Sequence, residues 1–227
     1  MTAIGIYGSA GRMGQAITLI LPEYGASLAG GIDAGGDPAP LAKLADVLVD
    51  FTVPGALPAN LAAARAAGTP ILIGTTGITQ AHRALIADAS QEIAVLQTGN
   101  TSLGVTLLAR LVREAAERLD ASWDIEIVEM HREAAAAGRG VALGDVSVMS
   151  RAGLSGDRAE GTIGLSSLRG GTVAGDHQVI FAGHGERIEL GHRAEDRAIF
   201  AHGAITAALW LAGKPAGSYS MAQVLGV

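Results

Sequence analysis

The chain has 227 residues and a mass of 22.9 kDa; 49% of its residues are apolar, 17% charged and 4% aromatic. With a net charge of -6, no cysteine and few rings, it excludes a disordered segment, a disulfide scaffold, a thiolate metal site and a stacking platform for nucleic acid. No apolar run reaches the length of a spanning helix and Met1 leads straight into a strand-like segment, so a cytoplasmic protein with neither nucleic-acid nor membrane partners is expected.

The first half alternates two periods. Residues 3–7 (AIGIY) read as a buried strand, followed by glycines and a helix over 12–21 that stops at Pro22. A strand over 27–32 ends at Asp33, and 35–40 (GGDPAP) carries turn chemistry. Strands over 46–50, 70–73 and 93–96 alternate with helices over 54–67 and 79–89, the latter with Thr79 as N-cap. Strands separated by helices of this length predict a parallel, doubly wound sheet.

The second half changes character. A long amphipathic helix over 102–119 offers i, i+4 charge pairs such as Arg113 with Glu117. Residues 123–130 (WDIEIVEM) alternate as a half-buried strand, and further strands are expected at 146–150, 161–168, 172–182 and 186–192. Residues 134–137 read as a helix segment, and an apolar helix runs from Asp196 to Gly213. The fold class expected is α/β, with an N-terminal Rossmann-like dinucleotide-binding domain and a C-terminal α+β domain built on an open mixed sheet. The boundaries are 1–102, completed by 198–227, and 103–197.

The motif with the most chemistry is Gly8-Ser9-Ala10-Gly11-Arg12-Met13-Gly14, placed between the first strand and the first helix. Glycines let the backbone turn and approach a pyrophosphate, whose charge the free N–H groups of a helix start stabilise. Asp33, 19 residues after Gly14, ends the second strand where a carboxylate accepts from an adenosine ribose. The plainer reading is a glycine turn with a capping Asp; strand, helix and acid together favour the dinucleotide. Gly74-Thr75-Thr76-Gly77 and Gly99-Asn100-Thr101-Ser102 follow the fourth and fifth strands, either touching a nicotinamide or serving as ordinary turns and caps.

Beyond these loops, the chain resembles the 4-hydroxy-tetrahydrodipicolinate (dihydrodipicolinate) reductases along essentially its whole length. The resemblance rests on G-x-x-G-R-M-G at 8–14, Asp50-Phe-Thr with Pro54, GTTG at 74–77, and Asn100-x-Ser102-x-Gly104-Val105. It continues through the strand leading to His131, Arg169-Gly-Gly, Gly175-Asp-His177, Gly185-Glu-Arg187, and the closing Ala208-Leu-Trp-Leu211 with Gly213-Lys. It implies reduction of a cyclic dicarboxylate by NADH or NADPH in lysine and diaminopimelate biosynthesis, in a homotetramer built by the second domain. Carried over by position, Gly8, Ser9, Ala10, Gly11, Arg12, Met13, Asp33, Gly74, Thr75, Thr76, Thr98, Gly99, Asn100 and Thr101 would contact the cofactor. His131 would be the catalytic histidine acting in proton transfer; the other histidines from 177 onwards read as loop or packing residues. NADH should be used at least as well as NADPH, because Ala34, Gly35 and Gly36 place no cation after Asp33.

One departure stands out. Where the family continues with a second His, a Lys and a D-A-P-S-G-T-A segment that grips the substrate carboxylates, this chain passes from His131 straight to Arg132-Glu-Ala. About 15 residues of a kind that forms a mobile loop over an active site are then missing between His131 and Arg132. Three explanations stay open: residues of the protein missing from this sequence, a deletion, or a degenerate paralogue that binds dinucleotide without catalysis. Arg197 is the remaining candidate for a substrate carboxylate. Another Rossmann oxidoreductase, acting on amino or hydroxy acids, is a weaker alternative. No metal site is expected.

Overall fold

The computed structural model describes residues 1–128, 143–149, 160–166 and 175–227. The expected helix at 134–137, His131, the junction with Arg132 and the motif at 169–171 lie outside them.

The chain divides into two units, residues Met1–Leu103 with Ala198–Val227 and residues Gly104–Arg197. In the first unit, strands β1 (Ala3–Tyr7), β2 (Ser27–Ile32), β3 (Val47–Asp50), β4 (Ile71–Ile73), β5 (Ala94–Gln97) and β11 (Gly217–Tyr219) form one sheet. Its order is β11-β5-β4-β3-β1-β2 and every pairing is parallel. The central strands β1, β3, β4 and β5 are buried on both faces because helices cover both. Ile4, Ile6, Val47, Val49 and Leu72 pack with Ile17 and Ile20 of α1 (Arg12–Ile20) and with the alanines of α7 (Ala198–Leu211). Tyr7, Leu48, Ile71, Ile73 and Val95 face α2 (Ala39–Leu44), α3 (Leu57–Ala67) and α4 (Gln80–Ala89). Because β2 lies on one side of β1 and β3 on the other, the strand order reverses there, and a crevice opens at the carboxyl ends.

In the second unit, α5 (Leu103–Arg118) packs Leu108, Val112 and Ala116 on a five-stranded mixed sheet. That sheet runs β10-β9-β6-β8-β7, built from β6 (Asp124–Val128), β7 (Ser147–Met149), β8 (Ile163–Ser166), β9 (Gly175–Gly183) and β10 (Glu186–Ala194). Its inner face carries Ile125, Ile127, Ile163, Val179 and Phe181. A one-turn helix, α6 (Leu143–Val146), precedes β7.

Some elements differ from the sequence reading. Pro22 does not end helical structure; it sits in the first turn of a 3-10 turn over Leu21–Tyr24, where its missing N–H costs nothing, and Gly25 at φ 61° ends the turn. The GGDPAP stretch is not all turn: α2 starts at Ala39, whose N–H donates to Asp37 Oδ1 at 3.0 Å, with Pro40 in its first turn. The helix over 54–67 starts at Leu57, with Pro58 rather than Pro54 in its first turn. Among the described residues, the i, i+4 ion pair on α5 is Glu114 with Arg118 at 2.8 Å, not Arg113 with Glu117. The tail adds two short elements, β11 beside β5 and α8 (Met221–Leu225), which Ser220 and Gln223 cap reciprocally. His177 and His192, read as loop or packing residues, face each other as a cross-strand pair within the expected strands.

Candidate functional site

The loop after β1 is locked by backbone bonds. Gly8 N–H donates to Ile32 O at 2.7 Å and Gly11 N–H to Gly8 O at 3.1 Å. Gly8 adopts φ 86°, a conformation only glycine holds easily. Gly14 is required by packing: a Cβ there would lie 2.6 Å from Ser9 Cα and Ser9 O, against main chain that cannot swing away. The loop therefore lies flat on the start of α1. No side chain caps that helix and its first turn holds no acid, so its N-terminal N–H groups stay available to an anion.

Asp33 stands across this loop. Its carboxylate accepts from Ser9 Oγ at 2.6 Å and from Ala10 N–H at 3.0 and 3.1 Å. Those donors, the Ser9 hydroxyl first, hold its carboxyl below the ordinary range although it is solvent-exposed. Ala34, Gly35 and Gly36 follow with no cation.

Two cavities flank the loop. One, of about 300 Å³, is lined by Gly8, Gly11 and Asp33 together with Tyr7, Thr52, Val53 and Ala56. It occupies the crevice between the ends of β1 and β3. The Tyr7 phenol forms part of its wall and donates to Pro38 O at 3.1 Å. Burial, and then the nearby Asp50 and Asp37, push this phenol well above its ordinary value, so it stays a neutral donor. The other cavity, of about 220 Å³, is lined by Met13, Gly74, Thr98, Gly99, Asn100 and Thr101, with Phe200 from α7. Phe51 lines both. Its ring fits only because residue 74 is glycine; a Cβ there would fall 2.7 Å from Phe51 Cδ1.

The 98–102 loop is self-braced. Thr98 Oγ1 donates to Asn100 O at 2.7 Å, Asn100 Oδ1 accepts from Ser102 N–H at 2.9 Å, and Thr101 Oγ1 donates to Phe200 O at 2.7 Å. Thr101 is buried by that bond. Thr75 is buried too, its hydroxyl turned to Asp50 Oδ1 at 3.1 Å, whereas Thr76 and Arg12 are exposed at the rim. Arg197 is exposed in the turn before α7 and lines neither cavity. His131 lies outside the described residues.

Two wall residues escaped the sequence reading in their roles. Phe51 lies in the Asp50-Phe-Thr block, and its place at a strand's carboxyl end was the available signal. Phe200 is brought in by a helix a hundred positions away, which no local pattern announces. A reduced dinucleotide fits what is present: two adjoining cavities, a flat glycine loop on an uncapped helix start between them, and a carboxylate at the outer one. Among the described residues no helix is long and apolar enough to cross a membrane, and no group of three or more potential ligands could hold a metal.

Comparison with known proteins bears on the whole chain. Residues 2–101 match the family described as "Dihydrodipicolinate reductase, N-terminus" and residues 104–225 "Dihydrodipicolinate reductase, C-terminus". The chain is 49% identical to 4-hydroxy-tetrahydrodipicolinate reductase of Zymomonas mobilis over 246 residues, covering 99% of this chain and 97% of the relative. It is 48% identical to the enzyme of the same name from Rhodopseudomonas palustris, covering 98% and 96%. The Zymomonas alignment exceeds the 227 residues of this chain, so that relative holds at least 19 positions (246 against 227) for which this chain has no residue. Dihydrodipicolinate reductase from Paenisporosarcina, solved with dipicolinate bound, shares the fold at a TM-score of 0.75 and 16% identity, covering 97% of both chains.

Proposed function

The chain belongs to the dihydrodipicolinate reductase family, and from that premise we propose that it reduces 4-hydroxy-tetrahydrodipicolinate to tetrahydrodipicolinate at the expense of NADH or NADPH, in lysine and diaminopimelate biosynthesis. The observation that carries this reading is the correspondence of both halves of the chain to that family, joined to the paired cavities around the Gly8–Gly14 loop. The reading of a dinucleotide binder without catalysis is not favoured by relatives near half identity that all bear the reductase name.

When bound, the reduced dinucleotide supplies a hydride. The N–H groups at the start of α1 hold its pyrophosphate, and Gly8 and Gly11 let the backbone come close. Asp33 accepts from the ribose hydroxyls at the outer cavity. Its carboxylate repels a 2′-phosphate and no cation follows it, which supports use of NADH at least as well as NADPH. Gly74 and residues 98–101 enclose the inner cavity, where Phe51 and Phe200 exclude water. Of the expected contacts, Thr75 spends its hydroxyl on Asp50 and acts on the site through that bond. His131 is assigned proton transfer from family position alone, and Arg197 a substrate carboxylate as the cation that remains where the family's Lys is missing.

We further assign the second unit to substrate binding and assembly of a cytoplasmic homotetramer. Its sheet carries α5 on one face and leaves Glu126, Val128 and Ile180 of the other half-exposed among the described residues. Sedimentation velocity at micromolar concentration should give a tetramer; a monomer would refute that part. Titration calorimetry should show NADH binding to the protein, and dipicolinate binding to the protein–NADH complex. Absence of binding of both NADH and NADPH would refute the reductase reading; binding of NADPH alone would refute only the expected use of NADH.

A further inference from the structure

Asp50 is a charged side chain with no accessible surface, at the carboxyl end of a central strand. Its Oδ1 accepts from Thr52 N–H at 2.9 Å, Thr52 Oγ1 at 2.6 Å and Thr75 Oγ1 at 3.1 Å. Its Oδ2 accepts from Asn60 Nδ2 at 3.0 Å, and that amide also reaches Thr52 Oγ1 at 3.4 Å. Asn60 and Thr75 are themselves buried, at 6% and 2% exposure. One carboxylate thus fastens three separate segments: the loop after β3, the helix α3 and the loop after β4.

A buried carboxylate costs several kcal/mol unless its lone pairs are filled, and a pair of apolar residues would hold these segments more cheaply. What the four donors achieve is geometric. Thr52 lines the outer cavity, Gly74 next to Thr75 lines the inner one, and Phe51 between them walls both. Gly74 N–H donates to Asp50 O at 2.9 Å, so main chain and side chain of Asp50 hold the same two loops. The Phe51 ring lies against Gly74 with no room to spare, and a slip of either loop would move it into a cavity.

We propose that Asp50 is a positioning residue for dinucleotide binding, setting Phe51 and Gly74 at the separation that keeps both cavities open. This deepens, and rests on, the reading of those cavities as the dinucleotide site. Asp50→Asn keeps shape and the Oδ1 acceptor but turns an amide NH₂ toward the NH₂ of Asn60. It should raise the Kd for NADH by about tenfold, the equivalent of one charge-assisted hydrogen bond. The reciprocal double variant Asp50→Asn with Asn60→Asp restores a donor–acceptor pair and should return the Kd to within about threefold of the parent. Thr75→Val, which keeps volume and removes one donor, should weaken NADH binding without unfolding the chain. The readouts are NADH titration and a thermal melt of the unliganded protein. If the melts drop while the parental Kd persists in Asp50→Asn and Thr75→Val, Asp50 is only structural and the proposal fails. If the double variant melts like the parent yet keeps the weakened Kd, it also fails. If the parent itself binds no dinucleotide, the reading beneath it fails first.

Discussion

Gly14→Ala tests the phosphate loop where its geometry is tightest. The new methyl would lie 2.6 Å from both Ser9 Cα and Ser9 O, closer than a real Cβ approaches any heavy atom. Its neighbours are main chain, held by the bonds of Gly8 to Ile32 and of Ser9 and Ala10 to Asp33, so no side chain can rotate away. The loop must lift by roughly half an ångström or more, and such overpacking costs about 1–3 kcal/mol. At roughly 2–4 °C per kcal/mol for a chain of this size, the Tm of the unliganded protein should fall by roughly 2–12 °C. NADH binding should weaken by tenfold or more, about 1.4 kcal/mol, because the lifted loop no longer presents its N–H groups together. Gly11→Ala is the control. Gly11 has φ -69° and its Cβ would meet only Gly8 O, at 3.1 Å, so the unliganded protein should melt nearly as the parent. There the methyl stands where the pyrophosphate approaches, and binding should fall without the loss of stability. Thermal melts and NADH titrations of both variants decide the matter. A Gly14→Ala protein with parental Tm and parental Kd would show that the loop does not pack as described.

Asp33→Ser removes the carboxylate that faces a 2′-phosphate, and the ratio of kcat/KM for NADPH over NADH should rise by about tenfold; an unchanged ratio would place discrimination elsewhere, with the exposed Arg12 the first residue to examine. Phe51→Ala joins the two cavities and should raise KM for the dinucleotide several-fold with little change in Tm, measured by initial rates and melts; a parental KM would remove Phe51 from the site. His192 is held below the ordinary histidine value by burial, then by the stacked His177 at 5.8 Å, with Asp176 opposing, and its Nδ1 is buried without a hydrogen-bond partner among the described residues. The unfolded chain then binds the proton more readily. Stability is full above the ordinary value near about 6.5 and declines as pH falls below it, a slope that His192→Phe should reduce in melts between about pH 5 and pH 7.

The parallel α/β half was legible because its central strands are short apolar runs buried on both faces, cut apart by helical stretches. Asp33 and the glycine loop were readable for the same reason: Gly8 needs a positive φ and Gly14 needs an absent side chain, and both demands appear as glycine in sequence. Helix α2 was not legible, because six residues after Asp37-Pro38 carry more turn chemistry than helical period. β11 was hidden as well; three residues hold no alternation, and only pairing with β5 makes them a strand. The charge pair on α5 shows the limit of spacing, since both 113 with 117 and 114 with 118 satisfy it and only the second closes among the described residues. Asp50 read as the end of a strand. That four donors from three segments converge on it depends on tertiary packing, as does the wall that Phe200 contributes.

The central claim is turnover. With 4-hydroxy-tetrahydrodipicolinate generated in place, the purified protein should consume NADH only when that substrate is present, with one tetrahydrodipicolinate formed for each NADH oxidised. A protein that binds NADH but leaves its absorbance unchanged in the presence of the substrate would contradict the reductase assignment.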